Sequence, residues 1–123
     1  MLTVEQVSKH FNLSCATIRR KAAEKDINAI RIGREYRFEW VDLWSCESAK
    51  MPRASNSTRY KENLLTKSEI ATNFQVSVRT VERWIVNGMP TRNVFSNVRC
   101  NPHDVTEWHL GRGVAVRDSW WQQ

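Results

Sequence analysis

The chain repeats itself. Sliding the sequence along itself by 63 positions sets Leu2 against Leu65, Thr3 against Thr66, Phe11 against Phe74, Ser14 against Ser77, Thr17 against Thr80 and Arg20 against Arg83. Val7 meets Ile70, Leu13 meets Val76 and Ile18 meets Val81 as conservative pairs, with no insertion across 19 positions. Farther on the offset falls to 62, where Arg37 meets Arg99 and Asp42 meets Asp104, so the second copy has the shorter middle. Self-similarity at a fixed period argues for two copies of one structural unit. A chain of 123 residues holds one ordinary domain or two very small ones, and the repeat selects the second.

Each copy opens with a capping box. Thr3 with Gln6, and Thr66 with Glu69, place a hydroxyl and a longer side chain where each satisfies the other's exposed backbone N–H. The spacing predicts helices starting near residues 4 and 67, with Val7 and Phe11, or Ile70 and Phe74, on the buried face. Ser14 and Ser77 then cap a second helix after a three-residue connection, which is helix-turn-helix grammar. In copy two that helix stops at Asn87-Gly88 with Pro90 behind it. Ile30 and Ile32, then Tyr36 and Phe38, alternate with polar residues around Gly33-Arg34, which reads as a small hairpin wing. Copy two has the same order with its turn expected at Ser96-Asn97, and Pro102 opens its last helix. The expected fold is mainly α with small β-hairpin wings, a tandem winged helix-turn-helix: first domain 1–45, basic polar linker 46–63, second domain 64–110 and C-terminal tail 111–123.

Charge narrows the partner. Lys and Arg number 19 against 13 Asp and Glu, a formal +6 that favours an anionic partner such as nucleic acid. No apolar run approaches a membrane span and no signal-peptide core is present, so a cytoplasmic protein is expected. Cys15, Cys46 and Cys100 are odd in number and far apart, which argues against a disulfide framework, and the lone Cys100-x-x-His103 lacks the partners of a zinc site. His10, His103 and His109 fall on unrelated elements, and no phosphate loop or nucleophile triad is present. Neither catalysis, a cofactor nor a metal is expected.

A helix that buries Ile18 and Ala22 turns Ala16, Thr17, Arg19 and Arg20 outward, where a recognition helix meets base edges in the major groove. Arginine forks pair bidentately with guanine O6 and N7. The counterparts in copy two are Arg79, Thr80, Glu82 and Arg83; Glu82 either accepts from cytosine N4 or simply holds Arg79. The first wing offers Arg31, Gly33, Arg34 and Arg37, the second Arg92, Asn93, Asn97 and Arg99, either as minor-groove and phosphate contacts or as a solvated hairpin.

LTVEQVSKHF, LSCATIRRK and IRIGREYRF followed by VDL resemble the excisionase-type winged helix-turn-helix domains, relatives of the mercury-resistance-regulator superfamily. LTKSEIATNFQVSVRTVERWIVNGMP resembles the same family and is also similar to the DNA-binding domain of phage small terminase subunits. The resemblance implies sequence-specific binding to double-stranded DNA, with excisionase work that bends attachment-site DNA and directs an integrase. A transcriptional or copy-number regulator of a phage or plasmid, and a terminase-like packaging protein, are the alternatives. Trp120 and Trp121, on no repeat, either pack on a domain or meet a protein such as a tyrosine integrase.

Overall fold

Two threonines set where each unit begins. In the computed structural model, which describes residues 1–122, the Thr3 hydroxyl accepts from Gln6 N while Gln6 Oε1 accepts from Thr3 N at 2.9 Å, and α1 runs Val4–Phe11. Thr66 and Glu69 make the same reciprocal pair, at 3.1 and 3.0 Å, ahead of α4, Lys67–Phe74. Asn12 and Gln75 end these helices in the left-handed region, at φ +57° and +56°. Ser14 and Ser77, in extended backbone, cap α2, Cys15–Ala23, and α5, Val78–Val86. Each such cap stabilises its helix by about 1 kcal/mol.

The chain divides into two compact units, Met1–Asn63 and Leu64 onward. In the first, Val7 and Phe11 of α1, Ile18 of α2, Ile27 and Phe38 are buried together with Leu43 of α3, Trp40–Cys46. Burying each such side chain contributes about 1.5–3 kcal/mol. Between α2 and α3, β1 (Ile30–Ile32) pairs antiparallel with β2 (Glu35–Arg37), Ile32 opposite Glu35. Gly33 takes the first place of the two-residue turn at φ +64°, a conformation that strains any other residue there. Leu2 and Phe38 exchange backbone hydrogen bonds of 2.6 and 2.9 Å, tying the strand after the wing to the residue ahead of α1.

The second unit has the same order. Ile70, Val81, Met89, Cys100 and Val105 are buried, the last on α6, Pro102–Gly111, with proline in its first turn and Asn101 as its cap. Leu65 and Cys100 exchange bonds of 2.8 and 3.0 Å. The wing here is tighter: Val94 and Asn97 exchange bonds of 3.0 and 2.8 Å across Phe95 and Ser96, both left-handed. The turn thus lies one residue earlier than the expected Ser96-Asn97. Asn97 belongs to the strand side, and its Nδ2 donates to the carbonyls of Val94 and Phe95, both at 3.2 Å, clamping a turn that has no glycine. Each unit is a winged helix-turn-helix.

One segment departs from the sequence expectation, and a second decides between two alternatives. Residues 46–63, set apart as a linker, belong to the first unit. Glu47 is buried with its carboxylate 3.0 Å from His10 Nε2, Trp44 Nε1 donates to the Tyr60 carbonyl at 3.2 Å, and Ser57–Lys61 forms a 3-10 turn that sets the Lys61 ammonium 6.0 Å over the Trp40 ring. For the tail, where packing on a domain and contact with another protein were both open, the structure takes the first course. Trp120 is 4% exposed, its indole N–H donates to Thr106 Oγ1 at 2.8 Å, and its ring centroid lies 4.7 Å from that of Phe74. Composition misled at residues 46–63, because a few anchoring side chains outweigh a polar background. Among the described residues no helix is long and apolar enough to cross a membrane.

Candidate nucleic-acid interface

Burial of Ile18 and Ala22 fixes the roll of α2, and Ala16, Arg19 and Arg20 consequently face solvent. Arg19 reaches Glu5 of α1 at 3.6 Å and Arg20 reaches Glu24 at 3.8 Å, with all four side chains more than half exposed. Exposed pairs at such distances contribute about 0–1 kcal/mol, so either arginine exchanges its acid for a phosphate or a base at little cost. Thr17 is half-buried, its hydroxyl 2.9 Å from Ser14 Oγ, and Thr80 repeats this with Ser77 at 3.0 Å. These two threonines serve the helix caps, which leaves the arginines as the reaching groups.

The first wing sorts its arginines unequally. Arg37 is bound within the hairpin, Nη2 to Glu35 Oε2 at 2.7 Å and Nη1 to the Tyr36 carbonyl at 2.9 Å. Arg31 lies 5.6 Å over the Tyr36 ring, with its Nε donating to the Gly33 carbonyl at 3.3 Å. Arg34, next to Gly33 at the tip, is exposed and makes no hydrogen bond or ion pair among the described residues. The three guanidinium groups therefore do not stand unscreened together; one acid and one ring hold two of them. Arg34 and Arg37 meet Arg19 of α2 around a cleft of about 280 Å³ whose other walls include Glu5, Glu35 and Tyr36. Helix and wing converge there.

The second unit places its residues differently. Arg79 and Arg83 project from α5 into solvent. The hydrogen-bonded partner of Glu82 is not Arg79 but Lys67, whose Nζ, from the first turn of α4, donates to Glu82 Oε2 at 2.8 Å, while Arg79 adds only a weaker attraction. That hydrogen bond and charge hold the Glu82 carboxyl below its ordinary pKa. In the first unit the corresponding bridge runs with opposite polarity, acid on α1 and base on α2. Arg92, read as a wing contact, is only 3% exposed, so its guanidinium is packed inside the unit and is not offered to a ligand. Asn93 Oδ1 accepts from Arg99 N at 3.3 Å, and Arg99 Nη1 donates to the Val98 carbonyl at 2.8 Å. Burial lowers the Arg99 pKa, with Glu69 opposing the shift. Asn93, Asn97 and Arg99 thus build the second wing more than they present it.

Sequence reasoning missed Glu5, Lys67 and Val86. The first two are partners across a turn, with no local signal. Val86 had one: Val81 and Ile85 take the inner face of α5, so a further valine at the next position must point outward, and it is 85% exposed. Burial pushes Cys100 up to about 12, aided by Asp104, and Cys46 up to about 11, aided by Glu47, Asp42 and Asp26. Among the described residues no group of three or more His, Cys, Asp or Glu gathers to hold a metal.

Residues 1–43 match the family model of a helix-turn-helix domain, the span that carries α1, α2 and the first wing. No curated protein matches the chain. No solved structure matches it either. The first unit is a DNA-binding helix-turn-helix domain by that match and by its geometry.

Proposed function

We propose that this chain is a sequence-specific double-stranded-DNA-binding protein with two readers in tandem, and that it acts without catalysis as an excisionase-like architectural factor. The observation that carries the DNA reading is the convergence of Arg19 on α2 with Arg34 on the wing around one cleft of the matched unit. A helix for the major groove and a hairpin tip beside it suit a duplex and little else. Support for a second reader comes from bonds that recur at the repeat offset. Leu2 with Phe38 and Leu65 with Cys100 close each unit, and Arg37 and Arg99 each donate through Nη1 to the carbonyl of the preceding residue. Support for the excisionase duty is the likeness of IRIGREYRF to the wings of that family.

The test is a binding-site selection from random duplexes with the full chain, followed by a bend-angle measurement on the selected site. Two unlike half-sites and a bend are the expected result. Inserting five base pairs between the half-sites rotates one to the opposite face, so affinity should fall about tenfold or more and recover in part with a full turn. Equal affinity for every spacing overturns the tandem reading, and a straight duplex overturns the architectural one.

A further inference from the structure

The face of α5 carries more than its arginines. Helical periodicity puts Val86 one turn beyond Glu82 and Arg83 and two turns beyond Arg79, on one stripe. Arg79, Glu82, Arg83, Val86 and Asn87 line a single open cleft of about 370 Å³. A lone exposed valine is ordinary, but this one has particular neighbours. Arg79 and Arg83 are exposed and form no hydrogen bond or ion pair among the described residues, while Glu82, the one acid on the stripe, is engaged by Lys67. The face therefore offers two available cations, a neutralised acid and a pair of uncovered methyl groups.

Charge complementarity selects a polyanion, and the methyl groups select within it. In the major groove the C5-methyl of thymine is the apolar feature of the base edges, and aliphatic side chains pack on it. We propose that Val86 reads a thymine methyl in the half-site contacted by α5, beside bases contacted by Arg79 and Arg83, and that Lys67 keeps Glu82 out of base reading. The inference rests on the duplex-DNA reading above and adds a base identity to it. The position is peculiar to the second unit: at the repeat offset Val86 corresponds to Ala23, which lacks both γ-methyls. With Glu82 engaged by Lys67, the apolar contact lies one turn later on the same stripe.

The experiment uses the full chain and the duplex obtained by selection. Each thymine is replaced in turn by deoxyuridine, which removes the C5-methyl and leaves the hydrogen-bonding groups in place. At one thymine the parent should lose about fourfold in affinity, the worth of one buried methyl group. Val86→Ala should bind the thymine and deoxyuridine forms of that site equally, with an unchanged melting temperature because Val86 touches no core. If the parent selects a site yet tolerates deoxyuridine at every thymine, the inference is wrong and the DNA reading stands. If Val86→Ala stays as sensitive as the parent, another residue makes the contact and the inference is again wrong. If no duplex is selected, both readings fail, and a protein surface becomes the occupant of this face.

Discussion

His109 sits among the rings of Phe74, Trp84 and Trp108, at centroid distances of 4.8, 4.5 and 5.0 Å, and neither ring nitrogen has a hydrogen-bond partner among the described residues. Burial lowers its pKa below the ordinary 6.5, and Arg112 adds to the shift. A histidine of that kind is held neutral when folded and takes up a proton more readily when unfolded. Stability is therefore unaffected above about pH 6.5 and declines as pH falls below it. The second unit should melt at a lower temperature at pH 5.5 than at pH 7.5, and His109→Phe should flatten that slope in a calorimetric pH series. In the first unit, His10 Nε2 meets a buried carboxylate, that of Glu47, at 3.0 Å. Glu47→Ala leaves a buried ring nitrogen of His10 without its partner and should cost the first unit about 1–3 kcal/mol, read from denaturant unfolding.

Among the elements, the helices are the part most legible in the sequence. Thr3 with Gln6 and Thr66 with Glu69 are local signals, and the helices start where those boxes place them. The wings are legible in order but not in chemistry. Nothing near Arg92 in sequence tells that it is 3% exposed, and nothing near Arg37 tells that Glu35 would bind it in preference to an anion from outside. Contacts that close a unit from a distance, such as Glu47 on His10 or Trp120 on Thr106, have no periodicity and leave no trace in composition. The difference between the wings is measurable. Arg34→Ala should weaken binding to all duplexes alike, by several-fold, while Arg99→Ala should act mainly on the melting temperature of the second unit. Equal effects of both variants on affinity, with no change in stability, would mean that the second wing also grips phosphates.

For the molecule as a whole, charge on paper exceeds charge on offer. Of the arginines nominated for DNA contact, Arg92 is enclosed, Arg37 is paired, Arg99 is bonded to its own hairpin and Arg31 is held over the Tyr36 ring. Arg19, Arg20, Arg34, Arg79 and Arg83 remain available. With about five cationic side chains brought onto the duplex, the slope of log K against log salt should be about −4 to −5. A slope near zero in a salt titration would remove the electrostatic basis of the DNA reading.

The opposed bridges, Glu5 with Arg19 and Lys67 with Glu82, bear on how such a chain avoids tangling with itself. Two helix pairs with matching apolar residues, Val7 and Phe11 against Ile70 and Phe74, invite exchange of partners during folding. Pairing α1 with α5 would bring Glu5 toward Glu82, and pairing α4 with α2 would bring Lys67 toward Arg19. Each wrong marriage loses an attraction and gains a repulsion, and the two penalties act in the same direction. Glu5→Lys combined with Arg19→Glu keeps a bridge in the first unit while erasing the distinction between the two. Such a variant should melt like the parent yet recover less monomer on rapid refolding, because the polarity of two surface ion pairs tells each helix which of two near-identical neighbours is its own.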